Sequence, residues 1–211
     1  MRRLLLVLSI LGISGPVAAS AQYAYPYAYP PPPRPPPAVA EDPFYLNLGL
    51  GFGNGSADLG TSSLSLHDWL AQAPGYSQGI LGFHAEGGVR IMPRLYVGLD
   101  LTGISAFGSA PNGSQAGATI LDYDPVLTFF PIGDGLFLRG GAGLSSLSSY
   151  GPAAGSGTHF GTDVLLGAGW AFRLGGKARL TLGIDWSQQF FGAPDLTGSS
   201  FWTGRIGFGW Y

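Results

Sequence analysis

Ionisable side chains interrupt the apolar pattern of the stretch FHAEGGVRIMPRLYVGLDL, which runs from Phe83 to Leu101 and has its predicted turn at Pro93-Arg94. Four of them are expected on strands. These four charged or titratable residues are His84, Glu86, Arg90 and Asp100. An active site would gather such groups for proton transfer, whereas a structural interior would pair them with opposite charges. On an extended strand, His84 and Glu86 lie about 7 Å apart along the chain and on the same face. A strand that turns them away from the apolar residues is therefore expected here.

Two other histidines have an acidic residue nearby in sequence. His67 precedes Asp68, and His159 shares a strand face with Asp163 at a separation of about 13 Å, which is too long for direct proton transfer. The G-x-S-x-G spacing occurs as GYSQG at residues 75–79, but a predicted strand follows it and not the helix that a nucleophile elbow requires. The series GLGFGNG at residues 49–55 lacks the G-x-G-x-x-G spacing of a dinucleotide site. The sequence therefore predicts no catalytic residue, no cofactor and no metal.

Composition narrows the classes of partner and chemistry. The chain has 211 residues, of which 10% are charged, with a formal net charge of -2, 36 glycines and no cysteine. This balance gives no excess of basic residues of the kind that binds the phosphates of nucleic acid. The lack of cysteine excludes disulfides, thiol catalysis and thiolate metal centres. Stability must come from packing and from the backbone hydrogen-bond ladder.

The first 43 residues divide into two segments. Residues 1–21 begin with two arginines, continue with a short apolar run and end in Ala-Ser-Ala, the pattern of a secretory signal peptide. An uncleaved anchor helix is the alternative, which the short apolar run disfavours. Residues 22–43 are rich in tyrosine and proline, which predicts an extended, disordered periplasmic linker. The alternative for this segment is an arm that contacts a periplasmic or cell-wall partner.

From Phe44 onward, apolar residues alternate with small or polar ones at a period of two. This pattern predicts eight β-strands, each with its charged residues on the face opposite the apolar row. Short connections such as Pro93-Arg94 alternate with long ones rich in glycine and serine. An even number of strands with short turns at one rim and long loops at the other is typical of a transmembrane β-barrel. The predicted long loops are roughly residues 54–77, 105–117, 145–157 and 188–199.

The two faces also differ in side-chain size. Small residues suit the narrow interior of an eight-stranded barrel, and large aliphatic ones suit lipid. A soluble lipocalin-like carrier, with the apolar row inside, is the alternative. Aromatic residues near both ends of the apolar row are expected at the two membrane interfaces. They are Phe44, Phe129, Phe172 and Trp210 at the short-turn rim, and Phe52, Phe83, Tyr123, Phe160, Trp186 and Trp202 at the long-loop rim.

The charges on the polar face nearly balance in number. Because unpaired charges are costly in a narrow lumen, we expect them to pair across the barrel and to leave no wide pore. The predicted lumen charge network consists of the acids Glu86, Asp100, Asp122, Asp124, Asp163 and Asp185 and the bases Arg90, Arg139, Arg173, Arg179 and Arg205.

The region from Phe44 to Tyr211 resembles the small eight-stranded bacterial outer-membrane barrels of the OmpA transmembrane-domain and OmpX type. The resemblance rests on the signal peptide, the alternation of turns and loops, and the aromatic ending RIGFGWY. It implies a location in the outer membrane of a Gram-negative cell envelope, with both termini in the periplasm. It also implies outer-membrane lipids and the barrel-assembly machinery as partners. The final aromatic of such barrels shares the apolar row, whereas here Trp210 does and Tyr211 does not.

The predicted function is that of a non-enzymatic, monomeric outer-membrane barrel with a structural or surface-interaction role carried by four exposed loops. A narrow channel for small solutes or ions is the alternative. A further alternative is a lipid-modifying enzyme, an activity that some similar barrels have.

Two local features carry predictions of their own. Pro125 lies on the apolar row in mid-strand, where its missing N–H predicts a β-bulge. In the first long loop, Leu66, Trp69 and Leu70 stand at helical spacing. They predict a short helix that either lies on the membrane or packs on the barrel.

Overall fold

The structure, a computed structural model, describes the chain from residue 43 to the C-terminus with four gaps. The predicted signal peptide and nearly all of the predicted linker lie outside the described residues. The described ranges are 43–59, 62–71, 77–109, 113–151 and 156–211.

In these ranges the chain forms nine strands and one short helix. Eight strands run antiparallel to their neighbours and close into a ring, because β1 pairs with β9. The remaining strand, β2, pairs with the end of β1 as a short hairpin. The predicted eight-stranded antiparallel barrel is therefore confirmed. The elements are β1 (Phe44–Leu59), β2 (Ser62–Ser65), α1 (Leu66–Ala71), β3 (Ser77–Met92), β4 (Leu95–Ser109), β5 (Gln115–Ile132), β6 (Leu136–Tyr150), β7 (Gly157–Gly175), β8 (Ala178–Ala193) and β9 (Leu196–Trp210).

Among the described residues, no helix has the length and apolar character that crossing a membrane requires.

Tight turns join the strands at one end of the barrel, which we call the short-turn rim. They are formed by Pro93-Arg94, by the three residues 133–135 and by Gly176-Lys177. Gly133 and Gly176 have φ angles of 56° and 54°, which a residue with a side chain rarely adopts. β1 begins and β9 ends at this rim, so residue 43 and the C-terminus lie on the same side as the turns.

The opposite end, which we call the outer rim, differs from the prediction of four long loops. The strands run through most of the segments rich in glycine and serine, and β8 and β9 are joined by the two-residue turn Pro194-Asp195. The prediction of a long loop at 188–199 is therefore wrong. The strands extend this far because apolar residues in these segments, such as Leu147 and Leu196, are buried in the interior there.

The outer face of the barrel is apolar. Along β1, the exposed residues Leu46, Leu48 and Leu50 alternate with the buried residues Tyr45 and Asn47. Nine of the ten predicted rim aromatics are exposed, and Phe83 is half-buried. A lipocalin-like barrel would place this row inside, so that alternative is contradicted.

Pro125 is exposed on this outer face. The predicted bulge is wrong, because β5 and β6 keep one register on either side, with Tyr123 opposite Leu144 and Val126 opposite Gly141. Pairing with β4 also continues, with Leu99 opposite Pro125. The proline thus interrupts the ladder toward β6 without inserting a residue.

Candidate functional site

The lumen is closed at the short-turn rim by a cluster of rings that we call the aromatic plug. The C-terminal ring of Tyr211 stacks on Tyr45 at 5.5 Å between centroids and meets the edges of Tyr96 and Phe130 at 5.7 Å. The departure of Tyr211 from the apolar row is thereby explained, since the last residue turns inward to close the mouth. The plug consists of Tyr45, Tyr96, Phe130, Phe137 and Tyr211, with Ala171 beside them.

Glycine makes room for these rings. A Cβ on Gly98 would lie 2.4 Å from the hydroxyl oxygen of Tyr45, and one on Gly88 would lie 2.7 Å from Cε1 of the same ring. Both distances are shorter than a van der Waals contact. The small residues of the inward row therefore serve the packing of large ones on neighbouring strands.

Above the plug, Arg139 is the centre of a buried group of charges. Its Nε donates to Asp185 Oδ1 at 2.9 Å, its Nη1 donates to Glu86 Oε2 at 3.1 Å, and its Nη1 and Nη2 donate to Asp100 at 3.2 Å. The second carboxylate oxygen of Asp185 lies 2.7 Å from Nε of Arg205. A planar guanidinium with a fork of donors can serve several carboxylates at once. We call these five residues the salt-bridge belt.

Hydroxyl groups complete the belt. Tyr45 donates to Glu86 Oε1 at 2.5 Å, and Thr128 donates to the same oxygen at 2.9 Å. A Cβ on Gly167 would lie 2.0 Å from Asp185 Oδ1, so this glycine leaves the space that the carboxylate fills. Glu86, which lies on β3, is thus held by donors from β1, β5 and β6.

Together with Asp100 of the belt, His84 and Thr102 have the composition of a hydrolytic triad. His84 Nδ1 lies 2.9 Å from Asp100 Oδ1 and 3.1 Å from the hydroxyl oxygen of Thr102. The hydroxyl donates its own proton to Asp100 at 2.6 Å, however, so it is not directed as a nucleophile towards the histidine. All three residues are at least 96% buried. Within the described part of the chain, this arrangement pairs charges and offers a substrate no access.

Three further carboxylates lie between the belt and the outer rim. Asp122, Asp124 and Asp163 each offer an oxygen within 4.8 Å of the others. Oδ2 of Asp122 accepts hydrogen bonds from Ser187 at 2.5 Å and from Gln189 Nε2 at 2.8 Å. We call these three residues the acidic triad.

A second apolar cluster, the apolar plug, fills the outer end of the lumen. Leu66, the first residue of α1, is fully buried in it. The predicted short helix is therefore present, and Leu66 packs it on the barrel. Ser65 caps the helix, since its Oγ accepts from the backbone N–H of Asp68 at 2.9 Å. The plug consists of Ala57, Leu66, Ile104, Ala106, Ala116, Ala118, Ile120, Leu147, Phe191, Leu196 and Phe201.

The predicted lumen charges do not all lie together. Eight are buried in the belt and the triad, whereas the three remaining arginines lie at the short-turn rim. Arg173 differs most from expectation, because 68% of its side chain is exposed and it pairs with Asp134. Arg179 donates to the backbone oxygen of Asp134 at 3.0 Å, and half-buried Arg90 lines the same recess. Near the turns, the alternation of faces no longer separates lumen from solvent.

Asp134 was missed because it lies in a turn and not on a predicted strand. Its partial burial would raise its pKa, but the hydrogen bond from Arg173 and the charge of Arg179 outweigh this and hold the pKa below 3.8. A carboxylate with a depressed folded-state pKa adds stability above its unfolded pKa and loses it as the pH falls through the folded value.

Asp134→Asn is therefore expected to lower the free energy of unfolding at neutral pH. We expect a loss of up to about 1 kcal/mol, because the pair is half-exposed and screened by solvent. The difference from the wild type should shrink as the pH is lowered through 3.8 and below. Denaturant unfolding in detergent over this pH range measures it, and a deficit that grows on acidification would contradict the assignment.

A comparison with protein-family models finds no match, and neither does a comparison with curated proteins. Solved structures do match. Ail, the attachment invasion locus protein of Yersinia pestis, is 12% identical and has a TM-score of 0.51, with 80% of this chain and 99% of that chain covered. Neisserial surface protein A is 14% identical with a TM-score of 0.48, and 79% and 96% of the chains are covered.

A third match is the outer membrane protease OmpT from Escherichia coli. It is 9% identical with a TM-score of 0.39, and 81% of this chain and 97% of that chain are covered. Identities this low show likeness of fold and not of activity. By its strand order, its closure and its likeness to Ail, this chain has the fold of a small outer-membrane β-barrel.

Proposed function

We propose that this chain is a non-enzymatic, non-conducting outer-membrane barrel with a structural or surface-interaction role. The observation that carries the proposal is the closure of the lumen at both ends. The aromatic plug fills the short-turn end, the apolar plug fills the outer end, and the salt-bridge belt occupies the space between them. A channel requires a continuous wetted path, and packed rings and aliphatic side chains do not supply one.

Solute flux tests the closed lumen. Proteoliposomes that contain the refolded protein should swell in a small neutral sugar no faster than empty liposomes. A porin reconstituted in parallel is the positive control. Swelling that depends on the amount of barrel would overturn the proposal in favour of the channel alternative.

The proposed location is the outer membrane, with a monomer surrounded by lipid and with both termini in the periplasm. The exposed apolar face of the strands supports insertion, and short periplasmic turns are the rule in such barrels. Ile206, Phe208 and Trp210 are exposed along the last strand, as a strand presented to the barrel-assembly machinery would be. A periplasmic or cell-wall contact would fall to the tyrosine- and proline-rich arm.

Fractionation with a heat-modifiability gel tests this location. We expect the protein in the outer-membrane fraction and a shift in migration between unboiled and boiled samples. A folded protein recovered in the aqueous fraction, or identical migration of the two samples, would contradict the membrane assignment.

The outer rim offers a recess of about 190 Å³ for surface interaction. Trp186 and Trp202 form its aromatic part, and Asn54, Ser56 and Ser200 contribute polar groups. The two serine hydroxyl oxygens lie 3.1 Å apart. Rings beside hydroxyl and amide groups suit a ligand with apolar and hydrogen-bonding faces.

Charge limits the kind of partner. The matched structure of Ail contains a heparin analogue, sucrose octasulfate. In the described part of this chain, the basic residues lie in the lumen or at the short-turn rim, while Asp58, Asp68 and Asp195 lie towards the outer rim. We therefore propose a neutral or cationic partner for the outer rim and not a sulfated glycan.

The enzyme alternative predicts changed lipids. Expression of the barrel should leave the mass spectra of lipid A and phospholipids unchanged. A new deacylated or acylated species that disappears in His84→Ala or His159→Ala would overturn the non-enzymatic assignment.

A further inference from the structure

Among the buried carboxylates of the described residues, those of the acidic triad form no ion pair with a basic side chain. Asp124 on β5 and Asp163 on β7 flank Gly143 on β6, which is paired with Asp163. Asp122 lies two residues along β5 from Asp124 and also faces inward. Asp122 is 0% exposed, Asp124 is 1% exposed and Asp163 is 2% exposed.

Hydrogen bonding leaves most of these oxygens without a donor. Outside the triad, no described residue donates a hydrogen bond to either carboxylate oxygen of Asp124 or Asp163, or to Oδ1 of Asp122. These oxygens are buried, and a buried acceptor without a donor costs free energy. Uncompensated buried charge costs more.

Both arginines of the belt pair with carboxylates outside the triad. Arg139 places its donors on Asp185, Glu86 and Asp100, and Arg205 lies against Asp185. Within the described part of the chain, neither arginine forms an ion pair with the triad. The near balance of charge along the sequence therefore does not hold locally.

The geometry of the triad matches a hard cation. A calcium ion binds oxygen at about 2.3–2.6 Å, so ligands on opposite sides of it lie up to about 5 Å apart. Magnesium, at about 2.0–2.1 Å, allows roughly 4 Å. The limit of 4.8 Å on the separations in the triad is compatible with calcium. A Cβ on Gly143 would lie 2.6 Å from Asp124 Oδ1, so the carboxylate of Asp124 lies close against this glycine.

We propose that Asp122, Asp124 and Asp163 bind one calcium ion inside the barrel. The carboxylate oxygens without donors are its ligands, and the donors Ser187 and Gln189 orient Asp122 from the side. The other buried acidic group, with His84, Glu86 and Asp100, is different because both of its carboxylates form ion pairs with Arg139. Since both ends of the lumen are closed, the ion enters while the barrel folds.

The test counts calcium in the refolded full chain. The protein is refolded from denaturant into detergent with calcium present, freed of unbound ion by gel filtration and examined by native mass spectrometry. We expect one calcium ion per chain. A wild-type barrel that carries no ion, with the triad neutralised by protons alone, would overturn the proposal.

Matched variants separate the triad from surface binding. Asp124→Asn and Asp163→Asn keep the side-chain size, remove a ligand charge and should abolish calcium retention. Asp195→Asn, in the outer turn, should retain the ion. Equal retention in all four proteins would overturn the site. Should an Asn variant fail to fold, the thermal midpoint of the wild type refolded with calcium or with chelator decides, and an unchanged midpoint would count against the ion.

Discussion

Replacing Arg139 with methionine is expected to lower the free energy of unfolding by about 3–5 kcal/mol, the usual cost of removing one partner of a buried ion pair. The side chain of Arg139 is fully buried and donates to Asp185, Glu86 and Asp100. Methionine fills a similar volume, so the loss arises from three carboxylates left without their shared base. Denaturant unfolding in detergent micelles, followed by tryptophan fluorescence, measures it.

Arg173→Met is the matched control. Arg173 also pairs with a carboxylate, Asp134, but 68% of its side chain is exposed. Exposed pairs contribute roughly 0–1 kcal/mol, so the control should stay close to the wild type. Equal losses in the two variants would contradict the role of Arg139 as the centre of the belt.

Phe137→Ala is expected to have an effect of similar size, about 3–5 kcal/mol, because it opens a cavity in a packed interior. The ring is 2% exposed, packs on Phe130 at 6.0 Å between centroids and lies under the guanidinium of Arg205 at 5.4 Å. Truncation therefore weakens the aromatic plug and the support of the belt together. The same unfolding experiment reads the loss.

The control for this variant is Phe172→Ala on the outer face. Phe172 is 44% exposed and leaves no enclosed cavity when truncated. Its loss should be about half as large or less, since only part of the transfer free energy of the ring is at stake. A larger loss at Phe172 than at Phe137 would mean that the outer face, and not the filled lumen, dominates stability.

The barrel itself could be predicted from the sequence because strand alternation is a local signal. Leu46, Leu48 and Leu50 alternate with Tyr45 and Asn47, and the two sets lie on opposite faces. The period of two needs no knowledge of which strands pair. The same logic placed Glu86, Asp100 and Arg139 inside.

The two plugs could not be predicted in this way. Ala106, Leu147 and Leu196 belong to the apolar plug but lie in segments that were predicted to be long loops, 105–117, 145–157 and 188–199. Their burial depends on residues from other strands and from α1, which meet only when the barrel closes. Tyr211 looked like a departure from the terminal pattern for the same reason.

The separation of charges along the barrel could not be predicted either. Counting acids and bases gave near balance, yet which of them meet depends on the register between strands. On β4, Asp100 lies opposite Asp124. On the other side of Asp124, Gly143 separates it from Asp163. Arg173 instead pairs with Asp134 in a turn at the short-turn rim. Register is a property of the closed sheet and not of any single strand.

The closed lumen is the claim on which the proposed function depends most, and single-channel recording in planar bilayers tests it most directly. The refolded wild-type barrel should show no steady open state at either polarity, under conditions in which a porin recorded in parallel conducts. A reproducible open state of the wild type whose conductance changes in Arg139→Met would show that ions pass the belt, and would contradict the closed lumen.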